Sequence, residues 1–395
     1  MKFASKLVNF DVAPGDSFRP MSTPIYQTST FEQQNADSFG EYDYTRSGNP
    51  TRRVLEQQLA ELENGTHGFC FSSGMAAITN VARLLRTGDE ILADSDLYGG
   101  TCRFFSRVLD RTGISVHYGD ASDLQALAAK ITPRTRLVYI ESPTNPLLRI
   151  IDIAAVARLA HQNGAWLCID NSLMSPYLQT PLDLGADFVI HSATKFLCGH
   201  SDVTGGAVIV KDPTLAEQIY FLQNAEGNAL GPFDCFLLLR GLKTLKLRVD
   251  AQQRNAAAIA RFLQNDPRIT EVFYPGLTGS PGYELQHSQA RGAGSVLSFT
   301  TGSIEVSKAL AEAARMFHIC VSFGSINSTI SLPGCMSHAS VPPEIAESRA
   351  LPADLVRISV GIEDSDDLVA DLSQALAKAS PAGLEKPFES EQAAV

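Results

Sequence analysis

The sequence lacks the features that mark secreted, membrane and metal-binding chains. Its 395 residues include seven cysteines, an odd number, and no pair has the CxxC spacing. This usage predicts buried free thiols in a reducing compartment rather than a disulfide framework. Cys and His do not cluster at the spacing of zinc ligands, so we predict no metal site. No apolar run has the length of a signal-peptide core or of a membrane span. We therefore expect a cytoplasmic protein.

An excess of positive charge is also missing. The chain carries 32 Lys and Arg against 43 Asp and Glu, which gives a formal net charge of -11. This balance argues against nucleic acid or a membrane surface as the main partner, although one site can still bind an anion. The hydrophobic content of 44% is typical of a globular chain, and the length suffices for two or three domains.

The most informative stretch is DFVIHSATKFLCGHS, residues 187–201. An apolar β-type run leads into Lys195, where desolvation can depress the pKa of a lysine and favour Schiff-base chemistry. Ser192 and Thr194 offer hydroxyls suited to a phosphate, and the glycines that follow let the backbone approach a ligand. The stretch predicts a lysine that holds pyridoxal 5′-phosphate (PLP). The alternative is an ordinary surface lysine.

Asp170 favours the cofactor interpretation. It ends another apolar run, residues 165–169. A carboxylate at the C-terminal end of a parallel strand is placed to pair with a pyridinium nitrogen, a partner that PLP enzymes need. A dinucleotide is disfavoured, because no GxGxxG follows the first β-type run.

Short β-type runs alternate with helical patterns from about residue 66 to 210, among them a strand predicted over 166–170 and a helix over 153–162, and a later strand is predicted over 319–322. This alternation predicts an α/β fold with a mostly parallel sheet and helices on both faces. Ligands of such sheets bind outside the carboxyl ends of the strands. The segments expected there are Ser73-Gly74-Met75, Tyr98-Gly99-Gly100, Asn145, Asp170 and Lys195.

Composition divides the chain into four segments. Residues 1–50 are polar with scattered aromatics and cannot bury a core, so we expect an arm that lies on another surface. Residues 51–249 form the predicted large domain, 250–379 a smaller C-terminal α/β domain, and 380–395 a flexible tail. After the turn signal Gly48-Asn49-Pro50, we expect Thr51 to cap a helix over 52–64.

Four further motifs have both a functional and a structural interpretation. Residues 72–75 can bind a phosphate at a helix N-terminus or form an ordinary strand–helix turn. Tyr98 can stack on a pyridine ring and take part in proton transfer, or belong to the core. Asn145 can bind the phenolic oxygen of the cofactor or a substrate carboxylate, or form an Asx turn. Arg357, in an apolar strand, needs an anion, either a substrate α-carboxylate or a structural salt-bridge partner. We assign no role to His191, His200 and His338.

With these residues in place, the chain is identified as a member of the Cys/Met-metabolism family of PLP enzymes. The resemblance runs from about Ser22 to the helix near Ala377. It rests on DFVIHSATKFLCGHS, YDYTRSGNPTR, SSGMAA, YGGT, ESPTNP and SHASVP. It implies the aspartate-aminotransferase-like fold type I.

Within the family, three segments resemble the plant-type β-lyases more than the γ-synthases or γ-lyases: IDNSLMSP, NAEGNALGPFDCFLLLRGLKT and DLVRISVGIED. That resemblance implies β-elimination of L-cystathionine to homocysteine, pyruvate and ammonia in methionine biosynthesis. The alternatives are γ-synthase or γ-lyase chemistry, including that of a methionine γ-lyase, and a PLP-binding protein without turnover. One departure is Asn327, which replaces an acid that many relatives carry near the far end of the substrate.

The resemblance also implies a role for each site residue. Lys195 would carry PLP and move protons, Asp170 would pair with the pyridinium, and Tyr98 would stack on the ring. The residues that would hold the phosphate are Gly74, Met75, Ser192 and Thr194. The residues that would hold the substrate carboxylate are Arg357, Asn145 and Ser322.

Two residues of the arm are assigned to a neighbouring subunit. Tyr44 and Arg46 would reach the phosphate in that subunit, which implies at least a dimer with shared active sites. We expect a homotetramer that acts on a small amino-acid substrate.

Overall fold

A computed structural model describes residues 1–336 and 351–379. The SHASVP motif with His338 and the segment 380–395, expected to be a tail, lie outside the described residues. Within them, the structure contains one seven-stranded and one five-stranded sheet.

The larger sheet has the strand order β1-β7-β6-β5-β4-β2-β3, and only β7 runs antiparallel to its neighbours. The strands are β1 (His67–Phe71), β2 (Glu90–Asp94), β3 (Ser115–Gly119), β4 (Thr135–Glu141), β5 (Trp166–Asp170), β6 (Phe188–Ser192) and β7 (Gly206–Val210). Every residue of β2 and β7 is buried, as expected for strands covered on both faces. The predicted mostly parallel sheet is confirmed.

Helices pack on both faces of this sheet. Along β6, Val189 belongs to one hydrophobic cluster, while Phe188 and Ile190 belong to another, because successive side chains point to opposite faces. The helices that precede or follow these strands are α1 (Phe3–Val8), α2 (Pro50–Leu62), α3 (Gly74–Ala82), α4 (Gly99–Arg107), α5 (Leu124–Ala128), α6 (Ile153–Gln162), α7 (Ser175–Leu178), α8 (Pro213–Glu226), α9 (Pro232–Leu242) and α10 (Leu245–Asn265).

The cap of α2 differs from the prediction. Asn49, not Thr51, is the N-cap residue, and its side chain accepts hydrogen bonds from the backbone N–H groups of Thr51 and Arg52. Pro50 occupies the first helical position, where its missing N–H costs nothing, and this moves the cap one residue ahead of it. The Thr51 hydroxyl instead donates to the carbonyl of Pro24 at 2.6 Å, which ties the arm to the helix.

The smaller sheet has the order β10-β11-β12-β9-β8. Its strands are β8 (Glu271–Phe273), β9 (Val296–Thr300), β10 (His318–Ile319), β11 (Thr329–Ser331) and β12 (Val356–Ser359). The accompanying helices are α11 (Tyr283–Gln289), α12 (Ile304–Ala313) and α13 (Ser365–Ala379). The strand predicted over 319–322 is found at His318–Ile319, and Ser322, with a φ of 85°, lies outside the β region.

Helix α10 connects the two sheets along the chain. The predicted boundary between residues 249 and 250 falls inside this helix, so the division into domains stays a prediction. No helix in residues 1–336 and 351–379 combines the length and the apolar character needed to cross a membrane.

Candidate active site

A cavity of about 430 Å³ opens at the carboxyl ends of β1, β4, β5 and β6. Strand ends are where an α/β sheet leaves polar groups and backbone free for a ligand. Every predicted site residue except Tyr44 and Arg46 lines this cavity, namely Gly74, Met75, Tyr98, Asn145, Asp170, Ser192, Thr194, Lys195, Ser322 and Arg357. The tertiary structure therefore gathers residues from both sheets.

Lys195 lies in the turn that follows β6, and its amine points into the cavity. The Nζ atom donates a hydrogen bond to Ser322 Oγ. Burial, together with the nearby positive charge of Arg357, lowers the pKa of Lys195 from 10.5 to about 8. A lysine with this pKa has a sizeable neutral fraction near neutral pH, which is the form that attacks a carbonyl.

Asp170 is the last residue of β5 and lines the same cavity. Its Oδ1 accepts a hydrogen bond from the backbone N–H of Ser172 at 2.9 Å, and the Tyr139 hydroxyl lies 3.4 Å from Oδ2. Burial raises the pKa of Asp170, while the bonds from Ser172 and the charge of His191 oppose that rise. A cationic ring nitrogen beside this carboxylate would offset the cost of its desolvation.

The N-terminus of α3 forms one wall of the cavity. Ser73 caps the helix, its Oγ accepting from the backbone N–H of Ala76 at 3.1 Å. A Cβ at Gly74 would lie 2.9 Å from Ser192 Cβ, so glycine is needed for the close approach of α3 to β6. Thr194 is held by the backbone N–H of Gly205 at 3.0 Å. The backbone amides and hydroxyls gathered here are suited to an anion such as a phosphate.

Arg357 reaches the cavity from β12 of the smaller sheet. Its Nη1 donates to Asn145 Oδ1 at 2.9 Å, and its Nη2 donates to the Ser322 carbonyl at 2.9 Å. The residue is 3% exposed, its Nε has no hydrogen-bond partner, and no ion pair found within the described ranges involves it. A buried guanidinium held only by neutral oxygens favours an anionic ligand over the structural salt bridge.

Tyr98 stands at the N-terminus of α4, at the mouth of the cavity. Its backbone N–H donates to Glu141 Oε1 at 2.9 Å, and its side chain is 41% exposed. The exposed ring is not part of the protein core, which was the alternative interpretation. Its face is available for stacking on a planar ligand.

Tyr44 and Arg46 lie away from this cavity. They line a separate surface hollow together with Gly227 and neighbouring residues, and the Arg46 guanidinium lies 5.4 Å from the centre of the Tyr44 ring. Their assignment to the active site of a neighbouring subunit stays a prediction.

Phe323 and Arg103 are among the cavity residues for which the sequence predicted no role. The ring of Phe323 lies 4.8 Å from Lys195 Nζ and 5.6 Å from the Arg357 guanidinium, so it packs against both cations. The position of Phe323 next to Ser322, a predicted site residue, is the sequence feature that could have placed it in the site. Arg103 also lines the cavity, and it lies on α4 five positions after Tyr98. Asn327, by contrast, is exposed and does not line the cavity.

The residues present fit PLP. The donor set includes an amine of lowered pKa, a buried carboxylate, an exposed aromatic ring and a helix N-terminus at one cavity. The close approach at Gly74 shapes a backbone-lined recess beside Ser192. Lys195 would hold the aldehyde of PLP, and Asp170 would pair with the ring nitrogen. Tyr98 would stack on the ring face, and the α3 N-terminus would bind the phosphate.

Comparison with known proteins agrees with this fit. The family model described as Cys/Met metabolism PLP-dependent enzyme matches residues 4–377. The chain is 54% identical to the chloroplastic cystathionine β-lyase of Arabidopsis thaliana over 366 residues, which covers 93% of this chain and 79% of that protein. It is 49% identical to the cystathionine β-lyase MetC of Bacillus subtilis, over 91% of this chain and 93% of that protein.

A solved structure shows the same architecture. The crystal structure of cystathionine γ-lyase from Lactobacillus plantarum complexed with L-serine superimposes with a TM-score of 0.94 at 42% sequence identity. The match covers 96% of this chain and 99% of that chain.

Proposed function

The chain belongs to the Cys/Met metabolism family of PLP-dependent enzymes, and we propose that it is a carbon–sulfur lyase that cleaves L-cystathionine by β-elimination. Its fold is the aspartate-aminotransferase-like fold type I implied by the sequence resemblance. The reaction takes up one water and releases homocysteine, pyruvate and ammonia.

One observation carries the proposal: Ser322 holds both cations of the site. Its hydroxyl accepts from Lys195 Nζ, and its carbonyl accepts from Arg357 Nη2 at 2.9 Å. An amino acid whose carboxylate binds Arg357 therefore has its α-carbon on the Lys195 side of the cavity. This arrangement suits removal of the α-proton.

Each residue then has a task that follows from its surroundings. Arg357 binds the substrate carboxylate, and Asn145 orients the guanidinium by accepting a hydrogen bond from it. Lys195, with a pKa of about 8, can accept the α-proton and later return a proton to the departing sulfur. When bound, PLP supplies the electron sink that stabilises negative charge at the α-carbon.

Product identification tests the proposal. Purified protein with PLP and L-cystathionine should release pyruvate and homocysteine. Release of 2-oxobutyrate and cysteine would show that the protein catalyses γ-elimination instead of β-elimination. This second candidate is supported by the similarity to the L. plantarum γ-lyase structure. Formation of cystathionine from cysteine and an activated homoserine would indicate a γ-synthase. A protein that absorbs visible light with PLP but releases no product would be a PLP-binding protein without turnover.

The assembly and location of the protein are proposals as well. The exposed aromatics Phe18 and Phe39 of the arm, 92% and 75% exposed, support burial against another subunit in a homotetramer with shared active sites. Light scattering on purified protein tests this assembly. None of the seven cysteines, all of which lie in the described ranges, forms a disulfide bond, which supports a reducing, cytoplasmic location, and cell fractionation tests it.

A further inference from the structure

The buried face of α10 carries three polar side chains where apolar residues would be expected. Arg248, Gln252 and Asn255 are 4%, 0% and 8% exposed. Their spacing of four and three residues places them on one face of the helix. Buried polar side chains of this size are unusual in a helix face unless they have specific hydrogen-bond partners. We call these three residues the α10 donor stripe.

Arg248 binds the turn that carries Lys195. Its Nη1 donates to the Phe196 carbonyl at 2.9 Å and its Nη2 to the Gly241 carbonyl at 2.9 Å. A Cβ at Gly199 would overlap the guanidinium, so the turn lies directly against it. Desolvation lowers the pKa of Arg248 to about 10, and the side chain remains charged at neutral pH.

Gln252, one turn further along, binds the loop that carries Ser322. Its Nε2 donates to the Ser325 carbonyl at 2.7 Å. Its Oε1 is buried and has no hydrogen-bond partner among the residues that the structure describes, which is a cost for folding. An apolar side chain of the same size would avoid that cost but would remove the donor to the Ser325 carbonyl, so the two effects on stability oppose each other.

Asn255 binds the loop that follows Arg357 on β12. Its Nδ2 donates to the carbonyls of Gly361 at 3.2 Å and Glu363 at 2.7 Å. Each member of the stripe thus binds a loop carbonyl that lies within about six positions of a different site residue.

The three loops also bind one another. The backbone N–H of Ile326 donates to the Gly199 carbonyl at 2.9 Å, and that of Ile362 donates to the Ile326 carbonyl at 2.9 Å. The Gly324 N–H donates to Ser359 Oγ at 2.9 Å. The loops therefore form one stack on α10, and a shift of one loop would be transmitted to the next.

We propose that the α10 donor stripe positions the site, by setting the distance between Lys195 and the pair formed by Ser322 and Arg357. The three residues donate to loop carbonyls and do not line the cavity, so they act on the site through other residues. The inference rests on the proposed function, because it takes Lys195 and Arg357 as the groups between which the substrate lies. Errors of about 1 Å in such a distance reduce rates by roughly a hundredfold.

A matched pair of variants on the same helix tests the proposal. Gln253 also holds a loop, its Oε1 accepting from the N–H groups of Ala293 and Gly294, and it does not line the cavity. Gln252→Met and Gln253→Met each replace a glutamine by an unbranched side chain of similar size. The holoenzymes are compared by thermal unfolding, by kcat and KM on L-cystathionine, and by the dissociation constant of L-alanine. L-alanine lacks a β-leaving group, and its binding is followed through the visible absorption of bound PLP.

We expect Gln252→Met to weaken L-alanine binding about tenfold and to lower kcat/KM at least as much, with a Tm no lower than that of Gln253→Met. Gln253→Met should keep the wild-type dissociation constant. Equal dissociation constants and equal kcat/KM in the two variants would overturn the proposal. If Gln252→Met does not fold, Gln252→Asn, which keeps the amide but shortens its reach, should show the same kinetic loss, and wild-type kinetics in it would overturn the proposal.

Failure of the proposed reaction and failure of the proposed role of the stripe give different results. A wild-type protein that binds L-alanine but releases no pyruvate from L-cystathionine contradicts the proposed reaction. The comparison of L-alanine binding between the two variants still decides the role of the stripe.

Discussion

Arg357 Nη1 lies 2.9 Å from Asn145 Oδ1, although 212 positions of the chain separate the two residues. Asn145 follows β4 of the larger sheet, and Arg357 lies on β12 of the smaller one. The amide oxygen orients the guanidinium without neutralising it. The positive charge therefore remains available for a ligand in the cavity.

The first prediction concerns Arg357→Lys. Losing a bidentate, buried contact costs on the order of 2–5 kcal/mol, so kcat/KM on L-cystathionine should fall by roughly 30-fold to several-thousand-fold. A point charge cannot reproduce the planar fork of the guanidinium. The visible spectrum and the Tm should be kept, because other residues hold the cofactor. Arg268→Lys serves as the control, since Arg268 forms an ion pair with Asp266 outside the cavity. Near-normal kcat/KM in Arg357→Lys would exclude the carboxylate-binding role.

The second prediction concerns the pH dependence of PLP attachment. The pKa of Lys195 is lowered from 10.5 to about 8, and only the neutral amine attacks an aldehyde. Below pH 8, the rate at which the apoprotein acquires visible absorption from PLP should rise about tenfold per pH unit, and it should level off above pH 8. Lys195→Ala should acquire no such band and should be inactive. A rate that keeps rising tenfold per unit up to pH 10 would mean that the amine has the pKa of an ordinary lysine.

The third prediction concerns the arm. Because Arg46 lies away from the cavity of its own chain, Arg46→Ala should weaken PLP retention in a neighbouring subunit. Mixing Arg46→Ala with inactive Lys195→Ala protein should restore part of the activity, since one site of each hybrid dimer contains both native residues. Activity of the mixture is compared with that of each protein alone after subunit exchange has been verified. If the mixture only averages the two defects, Arg46 serves its own subunit.

The fourth prediction concerns stability rather than catalysis. Glu56 on α2 is largely buried, and burial raises its pKa from 4.5 to about 7, although Arg52 lies 3.6 Å away. The folded state therefore binds a proton that the unfolded state has lost between pH 4.5 and 7. The free energy of unfolding should fall as the pH rises through this window, by on the order of 3 kcal/mol.

Glu56→Gln removes this titration. The variant should gain stability relative to wild type as the pH rises from 5 to 8, measured as the difference in Tm at each pH. Glu61→Gln on the same helix is the control, because the Glu61 side chain is 47% exposed. Parallel pH curves for wild type and Glu56→Gln would show that Glu56 is ionised in the folded protein throughout.

Local pattern predicted most of the elements of the larger sheet. Residues 166–170 and 153–162 were predicted as a strand and a helix with the bounds that β5 and α6 have. Apolar runs of five residues between helical segments leave few alternatives, because only a strand buried on both faces accommodates them. Asp170 and Lys195 could be located for the same reason, since each directly follows or ends such a run.

Local pattern was insufficient where a contact distant in sequence decides the conformation. Ser322 was predicted at the end of a strand, but it adopts a φ of 85° while its hydroxyl accepts from Lys195 and its carbonyl accepts from Arg357. The sequence did not predict that Arg248 binds the turn after β6. A basic residue in a helix is expected to be exposed unless the carbonyl groups that it binds are known.

By itself the sequence determined the α/β fold, the PLP family and the residues that line the strand ends, because these depend on hydrophobic periodicity and on short motifs within single elements. Only the tertiary structure decided that Arg357 has neutral partners and no counter-ion within the described chain, that Phe323 packs against two cations, and that α10 holds three loops together. Those properties depend on which side chains are buried against one another and thereby removed from water. The residues brought together in this way are distant in sequence, so no local spacing predicts their contact.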